Sequence, residues 1–196
     1  MITPSHIIYS WATAKYTEEI PNKLRVLAII TGGFLPDIPT YIFFVVHTFI
    51  LGTAQSLMWD TLYFDSAWTP FITLSHSLLL WPILLLLAKV LKQKILFWIS
   101  ASAFAHSVLD FFVHHDDAYR HFWPLSDWKF LSPVSYYDPN HFGTLFGLVD
   151  FAVVILLLAY LHTLYKKHKW VLLTIRLLMI LYILITFTPL LFFVFN

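Results

Sequence analysis

The sequence predicts an all-α, polytopic membrane protein with about five to six helical segments around an intramembrane polar site. Hydrophobic residues make up 59% of the 196 residues and charged residues only 12%. Residues 66–88 contain no Asp, Glu, Lys or Arg, and a helix of that length crosses a hydrocarbon core of roughly 30 Å. Because no repeat, low-complexity tract or linker interrupts the chain, we expect one integral-membrane domain over residues 1–196.

The composition also excludes several classes of protein. The chain has no cysteine, 5 glycines and 19% aromatic residues, which excludes a disulfide-stapled scaffold, a collagen-like fibre and an intrinsically disordered chain. Its 12 Lys and Arg residues give a net charge of only +1 and lie in short clusters. Nucleic acid is therefore not an expected partner, whereas membrane lipid is.

The N-terminal segment has the pattern of a short helix. Thr3 is expected to cap it, Pro4 suits its first turn, and the helix should end near Tyr16. The charged stretch at residues 17–23 predicts a turn.

The next span, Val26–Trp59, contains a single acid. That acid is Asp37, between Pro36 and Pro39, which are expected to break or kink the helix. Further spans are predicted at about Pro70–Leu91, Ile95–Val113, Phe142–Tyr165 and Trp170–Phe195.

The distribution of basic residues predicts the orientation. Three clusters, at residues 15–25, 89–94 and 166–169, can all lie on one side of the membrane, and that side should be cytoplasmic. The loop at residues 114–140, which is rich in Asp, Trp and Tyr, then faces outward. We therefore expect a multi-pass protein of the inner (plasma) membrane whose site opens to the extracytoplasmic side.

Polar residues inside the spans fall at similar depths. With about 1.5 Å per helical residue, six of them lie roughly 18 to 24 Å above the basic clusters: His6, Asp37, His76, His106, Asp110 and Asp150. Ionisable groups in lipid are costly unless they pair or bind an ion, so this layer predicts a functional site. Imidazole and carboxylate without thiolate suit Zn, Mn, Fe or Ni. A hydrogen-bonded plug between helices and a proton or ion pathway are the alternatives.

Residues beside this layer are weaker candidates. His114 follows His106 and Asp110 on the same helical face, so His114 and the nearby Asp117 are assigned to the site, although a solvated polar loop is the alternative. His141 is either a ligand or part of a turn. We interpret His47 and His162 as interfacial histidines.

Five short motifs carry a resemblance to a known family. They are Thr-x-x-His at residues 3–6, Gly-x-Leu-Pro-Asp at 33–37, Ser-His-Ser at 75–77, His-x-x-x-Asp at 106–110 and Trp-Pro-Leu-Ser at 123–126. In this order they resemble the bacterial inner-membrane metal-dependent hydrolases. The order of His and Asp residues is also distantly similar to zinc-dependent phospholipase C, an all-α enzyme with a zinc cluster.

The resemblance implies a division of the ligands between ions. One metal would be surrounded by Asp37, His76, His106 and Asp110, and Asp110 would bridge to a second metal that His6 also reaches. A third set would combine His114 or His121 with His141. The phospholipase pattern has a Glu one turn after its last His, where this chain has Leu145.

Together these features predict a membrane-embedded hydrolase with two or three zinc-type ions. Its substrate would be a phosphoester, or another ester, of a lipid or lipid-linked molecule. Asp117 would orient the attacking water beside the bridging Asp110, and Trp123 and Trp128 would contact the substrate. The alternatives are a di-iron membrane oxidase or hydroxylase and a non-catalytic metal or proton carrier.

Overall fold

The structure, a computed structural model, describes residues 1–14 and 22–195. For residues 22 and 187–195 it describes the backbone only. All of the regular structure in these residues is helical, so the predicted all-α fold is confirmed for them. The α-helices are α1 (Thr3–Thr13), α2 (Asn22–Phe34), α3 (Ile38–Val45), α4 (Gln55–Leu57), α5 (Thr69–Ser75), α6 (Leu80–Val90), α7 (Lys94–Val113), α8 (Gly143–Leu164) and α9 (Lys169–Phe195). Short 3-10 turns at Leu35–Asp37 and Pro139–His141 and π-helical turns at Val46–Ile50 and Met58–Leu62 connect some of them.

Several of these helices are long and apolar enough to cross a membrane. Four qualify by length and composition: Lys23–Ile50, Lys94–Val113, Gly143–Leu164 and Lys169–Thr186. Helices α5 and α6, which are bent by 51° at a short break, make a fifth if they form one span. The described part of the chain therefore has four or five candidate spans.

Helix α1 begins differently from the prediction. Thr3 is its first residue and not its cap, because Ile2 occupies the cap position and makes no capping hydrogen bond through its side chain. The hydroxyl of Thr3 is thereby left for Asp37 and Tyr41. The helix ends at Thr13, before the predicted Tyr16, and most of the predicted turn at residues 17–23 lies outside the described residues.

The span around Asp37 is kinked rather than interrupted. Pro36 lies within the 3-10 turn that links α2 to α3, and Pro39 lies in the first turn of α3, where a missing backbone N–H costs little. Asp37 ends that 3-10 turn, halfway along the span Lys23–Ile50.

The predicted span Pro70–Leu91 is not one continuous helix, because the chain breaks after Ser75. The hydroxyl of Ser77 accepts hydrogen bonds from the backbone N–H groups of Leu79 and Leu80, at 3.1 and 3.2 Å, which starts α6 anew. Local bonds of this kind compete with the helical ladder. His76 lies at the break, with its side chain fully buried.

Glycine allows α2 to approach α7 closely. A Cβ atom built on Gly32 would lie 2.1 Å from the carbonyl oxygen of Ile99, and one built on Gly33 would lie 3.3 Å from Ser102 Oγ. Only glycine fits at the first of these positions. The close approach sets the distance between Asp37 and the acid and histidine of α7.

Arg25 and Lys23 of the first basic cluster lie near the ends of α7, α8 and α9 that adjoin the other two clusters. Arg25 donates to the hydroxyl of Tyr165 at 3.1 Å and lies 6.0 Å from the Trp98 ring near the start of α7. Lys23 lies over the Trp170 ring at 5.1 Å. The layer of acids and histidines is farther along the helices.

Candidate metal centre

Four side chains from three parts of the chain converge between α2, α5 and α7. They are Asp37, His76, His106 and Asp110, and each offers one ligand atom within 4.8 Å of the others. Both histidines are fully buried and Asp110 is 1% exposed, so they meet in the interior of the bundle. Asp37 is only partly buried and faces a cavity.

The distances within this group match the edges of a coordination tetrahedron. His76 Nε2 lies 3.4 Å from Asp37 Oδ1 and 3.5 Å from Asp110 Oδ2. His106 Nε2 lies 3.5 and 3.1 Å from the same two oxygens. Ligand atoms about 2.1 Å from a tetrahedral zinc ion are roughly 3.4 Å apart. These four histidine-to-carboxylate separations are therefore close to those around one small metal ion.

Backbone carbonyls determine which nitrogen of each histidine faces the group. Nδ1 of His106 donates to the carbonyl of Gly33 at 2.8 Å, and Nδ1 of His76 donates to that of Ile72 at 2.9 Å. Since a carbonyl only accepts, these bonds put the ring proton on Nδ1 and leave a lone pair on Nε2 in the neutral imidazole.

The inward nitrogens therefore lack a partner. Nε2 of His6, His76 and His106 makes no hydrogen bond although it is buried, while carboxylate oxygens lie close by. Lone pairs that face carboxylates repel each other unless a proton or a metal ion lies between them. The Nε2 atoms of His76 and His106, with the carboxylate oxygens that face them, are thus acceptors arranged around a position for a cation.

Asp110 divides its two oxygens between two sets of neighbours. Oδ2 faces His76 and His106, whereas Oδ1 lies 2.9 Å from His6 Nε2 and 3.1 Å from His114 Nε2. The backbone nitrogen of Met1 also lies 2.9 Å from Oδ1. The rings of His6 and His106 are stacked with centroids 3.6 Å apart, so the two sets adjoin.

Asp117 orients His114. Its Oδ2 accepts from Nδ1 of His114 at 2.8 Å, which directs Nε2 of that histidine to Asp110. Its Oδ1 is buried and makes no hydrogen bond. The structure thus brings both loop residues that were assigned to the site to its edge.

A cavity of about 550 Å³ opens from this edge. Asp37, Asp110, His114 and Asp117 form part of its wall. Aromatic residues form much of the rest: Tyr41, Trp59, Tyr63, Phe64, Tyr119, Tyr136 and Tyr137. No Lys or Arg lines it among the residues whose side chains are described.

Two of the predicted ligands lie beside the centre and not in it. His121 donates from Nδ1 to the carbonyl of His76 at 2.7 Å, and burial lowers its pKa to about 4, so its ring is neutral at pH 7. His141 stacks on His115 at 3.6 Å and bonds to Asp138 at 2.6 Å, a bond that lowers the pKa of the Asp138 carboxyl.

The aromatic residues at the cavity are not the predicted ones. Trp128 packs on Phe111 and Phe122 and is 54% exposed, and neither it nor Trp123 lines the cavity. Trp59 does. Sequence reasoning missed Tyr119 as well, which stacks on the His76 ring at 3.9 Å; aromatic residues are so common in this chain that its pattern gave no signal.

Asp150, at a similar predicted depth, lies outside the group. Its Oδ2 accepts from Ser5 Oγ at 2.8 Å and from the hydroxyl of Tyr182 at 3.1 Å. His47 is buried and hydrogen-bonded to Thr53, whereas His162 is exposed. None of these three residues belongs to the four-residue group.

No known protein family, curated protein or solved structure matches this chain. The resemblance to inner-membrane hydrolases rests on the five short motifs and stays a prediction. What the geometry adds is that three of those motifs, at residues 33–37, 75–77 and 106–110, contribute the four clustered side chains.

Proposed function

We propose that this protein is a membrane-embedded, metal-dependent hydrolase that acts on a phosphoester, or another ester, of a lipid or lipid-linked substrate. The observation that carries the proposal is the convergence of unpartnered imidazole nitrogens and carboxylate oxygens at the separations that a bound metal ion requires. That convergence lies at the wall of a cavity large enough for a small organic ligand.

The donor set favours hydrolytic chemistry over the alternatives. Two carboxylates and two imidazoles hold the first position, and Asp110 with His6 and His114 offers a second. A carboxylate shared between two ions is typical of binuclear hydrolytic sites. Zinc suits these ligands, and Mn, Fe or Ni would also be accepted.

Metal ions in such a site polarise a phosphoryl oxygen and make water a strong nucleophile at neutral pH. The chain itself supplies the ligands and a place for the proton. Asp37, His76, His106 and Asp110 would hold the first ion, and His6 and His114 would reach the second. Asp117, which lines the cavity and whose Oδ1 makes no hydrogen bond, would orient the attacking water and accept its proton.

The cavity wall supports an apolar, amphiphilic substrate. Seven of its lining residues are aromatic, and Ile185 of the apolar helix α9 is also part of it. Without Lys or Arg in the described wall, the negative charge of a phosphoester has to be met by the ions. Such a substrate would enter from the membrane with its ester group toward Asp110.

A direct test compares wild-type protein with Asp110→Asn on a panel of phospholipids and lipid diphosphates in mixed micelles. We expect wild-type protein loaded with zinc or manganese to hydrolyse at least one of these esters. The variant should release no hydrolysis product above background. His162→Ala, at an exposed position, is the control and should stay active. Metal-loaded wild-type protein that cleaves none of these esters would contradict the hydrolase proposal.

The same preparation separates the alternatives. A di-iron oxidase would contain iron with visible absorption and would consume oxygen. A carrier would bind metal and move it, or protons, across vesicles without cleaving any ester.

A further inference from the structure

One carboxylate of the metal centre is held by a contact that the ligand set does not require. Asp37 directs Oδ1 to the two histidines. Its Oδ2 instead accepts a hydrogen bond from Thr3 Oγ1, and Thr3 Oγ1 lies 2.6 Å from the hydroxyl of Tyr41. Tyr41 is 43% exposed and lines the cavity. These three groups form a chain from the ligand to the cavity.

The number of protons available fixes the direction of that chain. An ionised carboxylate only accepts, so the single hydroxyl proton of Thr3 is used toward Asp37. The oxygen of Thr3 then accepts from Tyr41, which gives the order Tyr41 to Thr3 to Asp37. Each donor is polarised by the next bond in the line, and the far end of the line is the carboxylate.

Thr3 is well placed to connect the two halves of the centre. It lies three residues before His6 on α1, so both side chains project from one face of that helix. Its hydroxyl reaches Asp37 beside the first position, and His6 reaches Oδ1 of Asp110 beside the second. Helix α1 thus touches both acids through side chains one turn apart.

We propose that Thr3 and Tyr41 are positioning residues for the metal centre. By occupying Oδ2 of Asp37, Thr3 leaves Oδ1 as the coordinating oxygen and fixes its direction, and Tyr41 acts only through Thr3. The inference rests on the proposed metal site but not on the identity of the substrate. Outer partners of metal ligands commonly change metal affinity by about 10- to 100-fold.

The first test measures Co²⁺ binding to the full chain in detergent, by titration and by visible absorption. Thr3→Val keeps the shape of the side chain and removes the hydroxyl, so we expect Co²⁺ affinity to fall about 10- to 100-fold and the absorption of the bound ion to change. Thr3→Ser restores the hydroxyl and should recover both. The matched control is Thr13→Val on the same helix, whose hydroxyl bonds only to backbone carbonyls.

The second test is a double-mutant cycle. Tyr41→Phe keeps the ring that stacks on Phe34 at 5.5 Å and removes only the donor to Thr3, so its loss of affinity should be smaller than that of Thr3→Val. Since Tyr41 acts through Thr3, adding Tyr41→Phe to Thr3→Val should cause no further loss. Two fully additive losses would overturn the chain.

The outcomes also separate this inference from the proposed function. If wild-type protein binds Co²⁺ and Thr3→Val binds it with the same affinity and spectrum, the positioning role is wrong while the metal site stands. If wild-type protein binds no Co²⁺, both are wrong. If binding behaves as expected but no ester is cleaved, the positioning role stands and the hydrolase proposal fails.

Discussion

Two buried polar clusters in this bundle contain an acid, and they differ in what surrounds it. Around Asp150, the hydroxyls of Ser5 and Tyr182 donate to one carboxylate oxygen at 2.8 and 3.1 Å. Around Asp110, the two histidines that face Oδ2, His76 and His106, are held so that their Nε2 atoms offer lone pairs. Oδ2 of Asp150 is thus satisfied by two hydrogen bonds, whereas the acceptor atoms around Asp110 require a cation between them. A buried acid is therefore a sign of a ligand site when the histidine nitrogens that face it cannot donate.

This difference also bears on the alternative of a hydrogen-bonded plug. At Oδ2, Asp150 has the arrangement that such a plug would have, because donors on α1 and α9 bond to this acid of α8. Its Oδ1 is buried and makes no hydrogen bond. In the group around Asp37 and Asp110, Thr3 and Met1 donate to one oxygen of each acid. The Nε2 atoms of His76 and His106, however, make no hydrogen bond to the other oxygens. Substitution in the Asp110 cluster should therefore change metal binding, whereas substitution in the Asp150 cluster should not.

The largest effect is expected from Asp110→Asn. The variant keeps the shape of the side chain but loses the charge shared by both sets of histidines, so metal affinity should fall by more than the about 10- to 100-fold typical of outer partners. Metal content after gel filtration, measured by mass spectrometry, is the readout. Leu145→Ala, at an exposed position, should retain its metal; equal retention by Asp110→Asn would remove the distinction between the clusters.

A second pair of variants tests whether the two oxygens of Asp110 serve different ions. His76→Ala removes a ligand on the Oδ2 side, and His114→Ala removes one on the Oδ1 side. We expect His114→Ala to lose the ion on the Oδ1 side and to keep the other. His76→Ala should lose the ion on the Oδ2 side, which we expect to be bound more tightly. A titration that finds the same single loss in both variants would mean that the centre holds one ion.

Gly32→Ala should disturb the metal centre through the backbone. The added Cβ would lie 2.1 Å from the Ile99 carbonyl oxygen, which pushes α2 from α7 and costs about 1 to 3 kcal/mol of unfolding free energy. Metal affinity should fall with it, because Asp37 and His106 lie on the separated helices. In Gly147→Ala the new Cβ meets no atom within 4 Å, so denaturation and metal titration should show an equal or slightly stabler protein with unchanged binding.

The smallest effect on metal is expected from Asp150→Asn. The neutral amide oxygen is a weaker acceptor for the two hydroxyls than the carboxylate, so we expect a loss of about 1 to 2 kcal/mol in unfolding free energy with metal content unchanged. Thermal unfolding in detergent and elemental analysis measure the two quantities. Loss of metal in this variant would show that Asp150 belongs to the metal centre after all.

The sequence was informative about the centre because depth along a helix follows from residue counting. His106 and Asp110 are one turn apart on α7, and Asp37 lies at a proline-marked kink, so their shared layer was predictable. The same counting put Asp150 in that layer, and it does lie deep in the bundle. Depth alone does not give the direction of a side chain around its helix, and that direction separates Asp150 from the group.

Other features depended on contacts that a linear pattern does not contain. The break after Ser75 arises from the Ser77 hydroxyl and from the backbone of Leu78, which donates to the carbonyl of His121; the apolar run around it predicted a continuous helix. The sequence predicts Thr3 as a helix cap because threonine is a common capping residue, but tertiary packing directs its hydroxyl to Asp37.

The most direct test of the central claim is elemental analysis of wild-type protein purified in metal-supplemented buffer without chelator. A centre of acceptors arranged around a cation position should retain at least one transition-metal ion per chain through gel filtration, and Asp110→Asn prepared in parallel should retain none. Wild-type protein that emerges free of metal would contradict the account, because the histidines around Asp37 and Asp110 would then be satisfied by protons alone.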